Sequence, residues 1–233
     1  GAVTLFITKF RQITYYNNLK FMILSSLFNQ PIMFFAWIIA IIIAITIHEF
    51  SHVAMAYLLG DPTGKRMGRL TLNPLSHLDF FGLLMLVIVG IGWGKPAPYN
   101  PNNFRHPKRD SILTALAGPA SNIILLLIAG LLLKFIYPLI GLGPTNALGS
   151  FLYVLIIINT ILAVFNLIPI PPLDGSKFLL NIIPDRYFNF KTKFQRNGPY
   201  FLLGLIILDN FLGVSILSGL FGLVINWVNH FFV

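Results

Sequence analysis

Two histidines four residues apart with a glutamate between them, His48-Glu49-Phe50-Ser51-His52, lie inside an apolar run, and Glu49 is the only glutamate of the chain. On an α-helix, positions four apart share a face, so His48 and His52 can offer two imidazole nitrogens to one metal ion. Glu49 is turned by about 100° round the same helix, near enough to take a proton from water at that metal. Residues 34–47 carry no charge, and 53–59 continue apolar. Two histidines and a carboxylate in such surroundings are costly unless they pair or bind something. The pattern is that of a zinc hydrolase placed where water is scarce, and it points to hydrolysis of peptide bonds within a membrane.

Catalytic zinc takes three protein ligands and leaves one position for water. The chain has no cysteine, which removes thiolate ligands and disulfides together. Asp174 is the best third ligand. It follows Asn166-Leu-Ile-Pro-Ile-Pro-Pro-Leu, where Pro169, Pro171 and Pro172 forbid a regular helix. An extended backbone is expected there, and at membrane depth such backbone survives only inside protein or beside a wet cavity. Gly175 permits a turn directly after the aspartate.

Asn122 and Asn166 also fall at span depth and could stabilise an oxyanion or hold an extended substrate. For Asn122, in Ala117-Gly-Pro-Ala-Ser-Asn122, packing of small residues between helices is an equal reading. His77, in Asn73-Pro-Leu-Ser-His77-Leu-Asp79, could be a further ligand, a proton carrier or a loop residue bonded to Asp79, the last being favoured. His106 and His230 read as surface residues, and Asp209 as a bend marker or an intramembrane carboxylate worth testing.

The elements that must position these groups are membrane spans. Of the 233 residues, 56% are hydrophobic and 10% charged, and the mean hydropathy is +0.80. Soluble domains carry about 25% charged residues, so a soluble class is excluded. The predicted fold is an all-α polytopic membrane protein. Its core has spans at 31–59, 111–137 and 148–168, with a short re-entrant segment at 80–93 and flanking helices. The 14 residues of 80–93 cover about 21 Å as helix, less than the roughly 30 Å of hydrocarbon. If that segment dips and returns, the basic connections at 60–79, 94–110 and 177–196 share the cytoplasmic side, and the connection at 138–147, which has no Lys or Arg, lies outside. Lys9, Arg11 and Lys20 run against this rule. The region 200–228 reads as one long helix or a bent pair.

Three parts follow: a segment at 1–30 expected to lie in the membrane interface, whose first dozen residues read as a cloning remnant or a processed terminus; a catalytic membrane core at 31–180; and a basic loop with a C-terminal transmembrane region at 181–233. The net charge of +9 fits loops facing anionic lipid, and no nucleic-acid motif accompanies it.

These motifs together resemble the site-2 protease family of intramembrane zinc metalloproteases. The likeness lies in His48-Glu49-xx-His52, Gly118-Pro119-xx-Asn122 and Asn166-xx-Pro169-x-Pro171-x-Leu173-Asp174-Gly175, in the family's order on three spans. The segments 60–74 and 92–105 resemble its compact bacterial and archaeal subgroup, and no insertion is long enough for a PDZ domain. The resemblance implies one Zn2+ per chain held by His48, His52 and Asp174, with Glu49 as general base. It also implies transmembrane protein substrates in the lipid bilayer, and a multi-pass protein of a prokaryotic cell membrane. The competing expectation is a metal-binding membrane protein without proteolysis, such as a divalent-cation carrier or an inactive scaffold.

Overall fold

The computed structural model describes residues 31–89, 92–141, 146–211 and 214–232. The expected interfacial segment at 1–30 lies outside the described residues. Seven helices longer than two turns are present among those described: α1 (Pro31–Leu58), α2 (Phe80–Val89), α3 (Pro107–Leu131), α4 (Ala147–Leu167), α5 (Asp174–Ile182), α6 (Phe188–Phe211) and α7 (Leu217–Phe232). A π turn and a 3-10 turn carry α3 on to Ile140. Three helices are long and apolar enough to cross a membrane: α1, the extended α3, and α4.

α1, α3 and α4 pack on one another, and α4 is the central element. Residues 152–158 of α4 are buried without a break, which requires neighbours all round the helix. Trp37, Ala40, Ile41 and Ala44 of α1 and Leu126 and Ala129 of α3 complete the core with Ile225, Val228 and Phe232 of α7. Between helices in lipid, close packing and interhelical hydrogen bonds replace the hydrophobic drive. Small residues mark the contacts. Gly130 of α3 lies under the Phe232 ring, where a Cβ would come within 2.6 Å of ring carbons.

At the segment expected to be re-entrant, the chain returns to the place where it left. Asp79 Oδ1 accepts from the Gly82 N–H (2.8 Å) and caps α2, which is too short to span. The returning chain pairs Gly94 with Leu78 in an antiparallel bridge, and the Lys95 N–H donates to the His77 carbonyl (2.8 Å). The two ends of the segment are thereby tied together.

One expectation is corrected. The proline segment does not run extended. Hydrogen bonds from Ile170 N–H to Ile168 O and from Leu173 N–H to Ile170 O fold it into tight turns, with a cis bond between Pro171 and Pro172. Asp174 is consequently the first residue of α5, not part of a strand. Gly175 serves a close approach in place of a turn: a Cβ there would sit 2.2 Å from the Leu167 carbonyl oxygen. Of the two readings of 200–228, the structure takes the pair: the region forms parts of two helices, α6 and α7. The Asp209 carboxylate accepts from the N–H groups of Leu217 (2.9 Å) and Ser218 (3.0 Å), so it caps the start of α7.

Candidate metal centre

Three side chains from two elements meet between the packed helices. His48 and His52 come from consecutive turns of α1, and Asp174 from the first turn of α5. His52 Nε2 lies 3.0 Å from His48 Nε2 and 3.0 Å from Asp174 Oδ2, and His48 Nε2 lies 3.2 Å from the same oxygen. All three residues are buried.

The protons on these rings follow from their outer partners. His52 Nδ1 is 2.7 Å from the Thr114 carbonyl, which can only accept, so Nδ1 carries the hydrogen. The His48 proton is fixed by two amides. Asn159 Nδ2 donates to the Leu155 carbonyl (2.8 Å), which turns Asn159 Oδ1 toward Asn122. Asn122 Nδ2 donates to that oxygen (2.8 Å) and to the Ala44 carbonyl (3.3 Å), leaving Asn122 Oδ1 to face His48 Nδ1 at 2.6 Å. His48 Nδ1 therefore carries its hydrogen too.

In the neutral rings both Nε2 atoms then present lone pairs to each other and to a carboxylate oxygen. One added proton could satisfy one of the three contacts. A metal ion satisfies all three. A tetrahedral zinc with ligands at about 2.0–2.1 Å separates its donor atoms by about 3.3 Å, close to the distances found. Nitrogen and carboxylate donors without sulfur suit the same ion. Residue 118 supplies the space. A Cβ on Gly118 would stand 2.4 Å from His52 Nε2 and 2.6 Å from His48 Nε2, directly over the converging atoms. Pro119, within α3, withholds the N–H that would otherwise donate to the Ala115 carbonyl, next to the Thr114 carbonyl that faces His52.

Glu49 is half-buried beside this cluster, and its Oε2 has no hydrogen-bond partner. A carboxylate oxygen removed from solvent and unpaired is free to accept a proton from water. Lys177, on the face of α5 that carries Asp174, reaches Asp174 Oδ1 at 3.2 Å.

The other sequence candidates lie elsewhere or play other parts. Asn122 is fully buried with its amide engaged by His48, Asn159 and Ala44, so it backs a histidine and does not face an open cleft as an oxyanion donor would. Asn166 Nδ2 is returned to the Leu162 carbonyl of its own helix (3.0 Å). His77 is fully buried away from the cluster, with Nε2 against the Thr71 carbonyl (2.7 Å); Asp79, its expected partner, caps α2 instead. Sequence reading missed Asn159, Lys177 and the Thr114 carbonyl. Asn159 left a signal, being an amide within the apolar run 148–168; Lys177 was hidden as the first of several cations in a basic stretch, and a backbone carbonyl leaves none.

A histidine pair and an aspartate assembled at the meeting of transmembrane helices, with a free glutamate beside them, define a membrane-embedded metalloprotease. The sequence model of peptidase family M50 matches residues 140–208. The candidate zinc metalloprotease YwhC of Bacillus subtilis is 37% identical over 183 residues, covering 77% of this chain and 83% of its own. The candidate zinc metalloprotease Rip2 of Mycolicibacterium smegmatis is 35% identical over 141 residues, 58% of this chain and 52% of that protein. Rip2 of Mycobacterium tuberculosis is 36% identical over 142 residues, again 58% and 52%. No solved structure matches significantly. The chain belongs to peptidase family M50, the site-2 proteases, and is an intramembrane zinc metalloprotease.

Proposed function

We propose that this protease cleaves transmembrane segments of membrane-anchored proteins in the cell membrane of a prokaryote, with His48, His52 and Asp174 holding the zinc and Glu49 acting as the base. The observation that carries the assignment is the convergence of three proton-free donor atoms at 3.0–3.2 Å under a glycine. Zinc in that place supplies Lewis acidity toward a scissile carbonyl and toward water.

The protein's own groups do the rest. Asn122 and the Thr114 carbonyl fix the two imidazoles so that Nε2 of each faces inward. Glu49 takes a proton from the attacking water and delivers it to the departing amide nitrogen. His52 lies six residues before Leu58, about 9 Å of helix, so the chemistry occurs below the end of α1. A substrate helix has to unwind before its amide can reach this depth, because a helix keeps its carbonyls bonded internally. The basic connections at 60–79, 94–110 and 177–196 face the cytoplasm in this reading, and water enters from that side.

The test measures zinc in the purified protein beside Asp174→Ala, a His48/His52 double alanine and Glu49→Gln. The first two should lose the metal, while Glu49→Gln keeps it and loses proteolysis. Zinc retained in all three would refute the ligand set, and turnover by Glu49→Gln would remove Glu49 as base.

A further inference from the structure

Lys177 stands one turn after Asp174 on α5, so their side chains share a face. Its Nζ meets Asp174 Oδ1 at 3.2 Å, whereas the histidines converge on Oδ2. The two oxygens of this carboxylate are thus divided between different partners. The ammonium is backed on its other side by Tyr99, with Nζ 5.3 Å from the ring centroid. Tyr99 in turn stacks on buried Phe104, with centroids 5.8 Å apart and planes at 25°.

The segment bearing both rings is fastened to the chain just beyond α1. Asp61 Oδ2 accepts from the Asn100 N–H (2.7 Å), and Oδ1 from the Asn103 side chain (2.6 Å). A continuous set of contacts therefore runs from Asp61 through Tyr99 and Lys177 to the carboxylate at the metal centre.

A carboxylate can give a metal one oxygen or both. An ammonium on Oδ1 takes one of that oxygen's lone pairs and restrains the group from rotating both oxygens inward. We propose that Lys177, supported by Tyr99, is a positioning residue that keeps Asp174 a one-oxygen ligand, so that a bound metal would have four ligands, three from the protein and one water, in place of five. The inference rests on the ligand assignment made above.

The experiment loads the purified full chain with cobalt(II) in place of zinc and reads its visible absorption, which is strong for four-coordinate and weak for five-coordinate cobalt. Wild type should give the strong spectrum. Lys177→Met and Tyr99→Leu should each keep about one cobalt per chain but show a several-fold weaker band as Oδ1 joins the metal. Lys177→Arg, whose guanidinium can still donate to Oδ1, should stay near wild type. Spectra of Lys177→Met and Tyr99→Leu that superimpose on wild type at equal cobalt would overturn the proposal while leaving the ligand set intact. If Lys177→Met does not fold, the Tyr99→Leu spectrum decides by the same criterion. Cobalt absent from wild type, as from Asp174→Ala, would overturn the ligand assignment and this inference with it.

Discussion

His48 Nδ1 and Asn122 Oδ1 lie 2.6 Å apart across the contact of α1 with α3, and neither side chain is exposed. The amide is itself held by Asn159 of α4, so one ring of the candidate metal centre is oriented by all three spans of the core. Outer partners of a metal-binding imidazole commonly contribute about 10–100-fold in affinity. Asn122→Leu should therefore weaken zinc by about that factor, measured by competition with a chelator. Asn159→Leu should act in the same direction through Asn122. Unchanged affinity in both would mean that packing alone orients His48.

Gly118→Ala puts a methyl group where the Nε2 atoms converge, 2.4 Å from one and 2.6 Å from the other. Alanine is the better helix former by about 1 kcal/mol, so helix content should not fall. Zinc content should drop sharply while circular dichroism and detergent-solubilised size remain those of wild type. Full zinc occupancy in this variant would show that α3 can retreat from the histidines.

Asp61 is buried just beyond the end of α1, outside the spans. Burial alone would raise its carboxyl. Donors from the Asn103 side chain, the Thr63 hydroxyl and the N–H groups of Asn100 and Thr63 outweigh burial and hold it below the usual carboxylate range. With the folded value depressed, its stabilising effect is complete above the unfolded value of about 3.9 and is lost as pH falls through the folded one. Hydrogen-exchange protection of the Asn100 amide, corrected for intrinsic rate, should hold from neutral pH to about pH 4 and decline below that. Asp61→Asn should be less protected and lack this decline. Protection that already fades near pH 6 would assign it to another group.

Asp209 caps α7 through two backbone N–H groups. Asp209→Ala should cost about 1 kcal/mol at that helix start, whereas Asp209→Asn keeps an acceptor and should cost less. Thermal unfolding in detergent, read for both variants, checks this cap: equal losses in Asp209→Ala and Asp209→Asn would show that the charge, not the acceptor, matters there.

The sequence by itself determined the membrane class, the three spans and the identity of the metal-centre candidates. It could do so because each is a local property. Run length sets a span, a spacing of four puts two histidines on one face, and burying Glu49 without purpose would be costly. Only the tertiary structure decided the roles of the remaining polar groups. Asn122 was a plausible oxyanion donor until α4 brought Asn159 against it, and Lys177 was one more loop cation until the turns at 168–173 swung α5 onto the histidines. The prolines foretold the end of the helix but not the path after it, since forbidding one regular structure selects no other. An amide or an ammonium acquires its function from whichever atoms lie within about 3 Å, and partners as distant in sequence as residues 48 and 174 are set by helix packing.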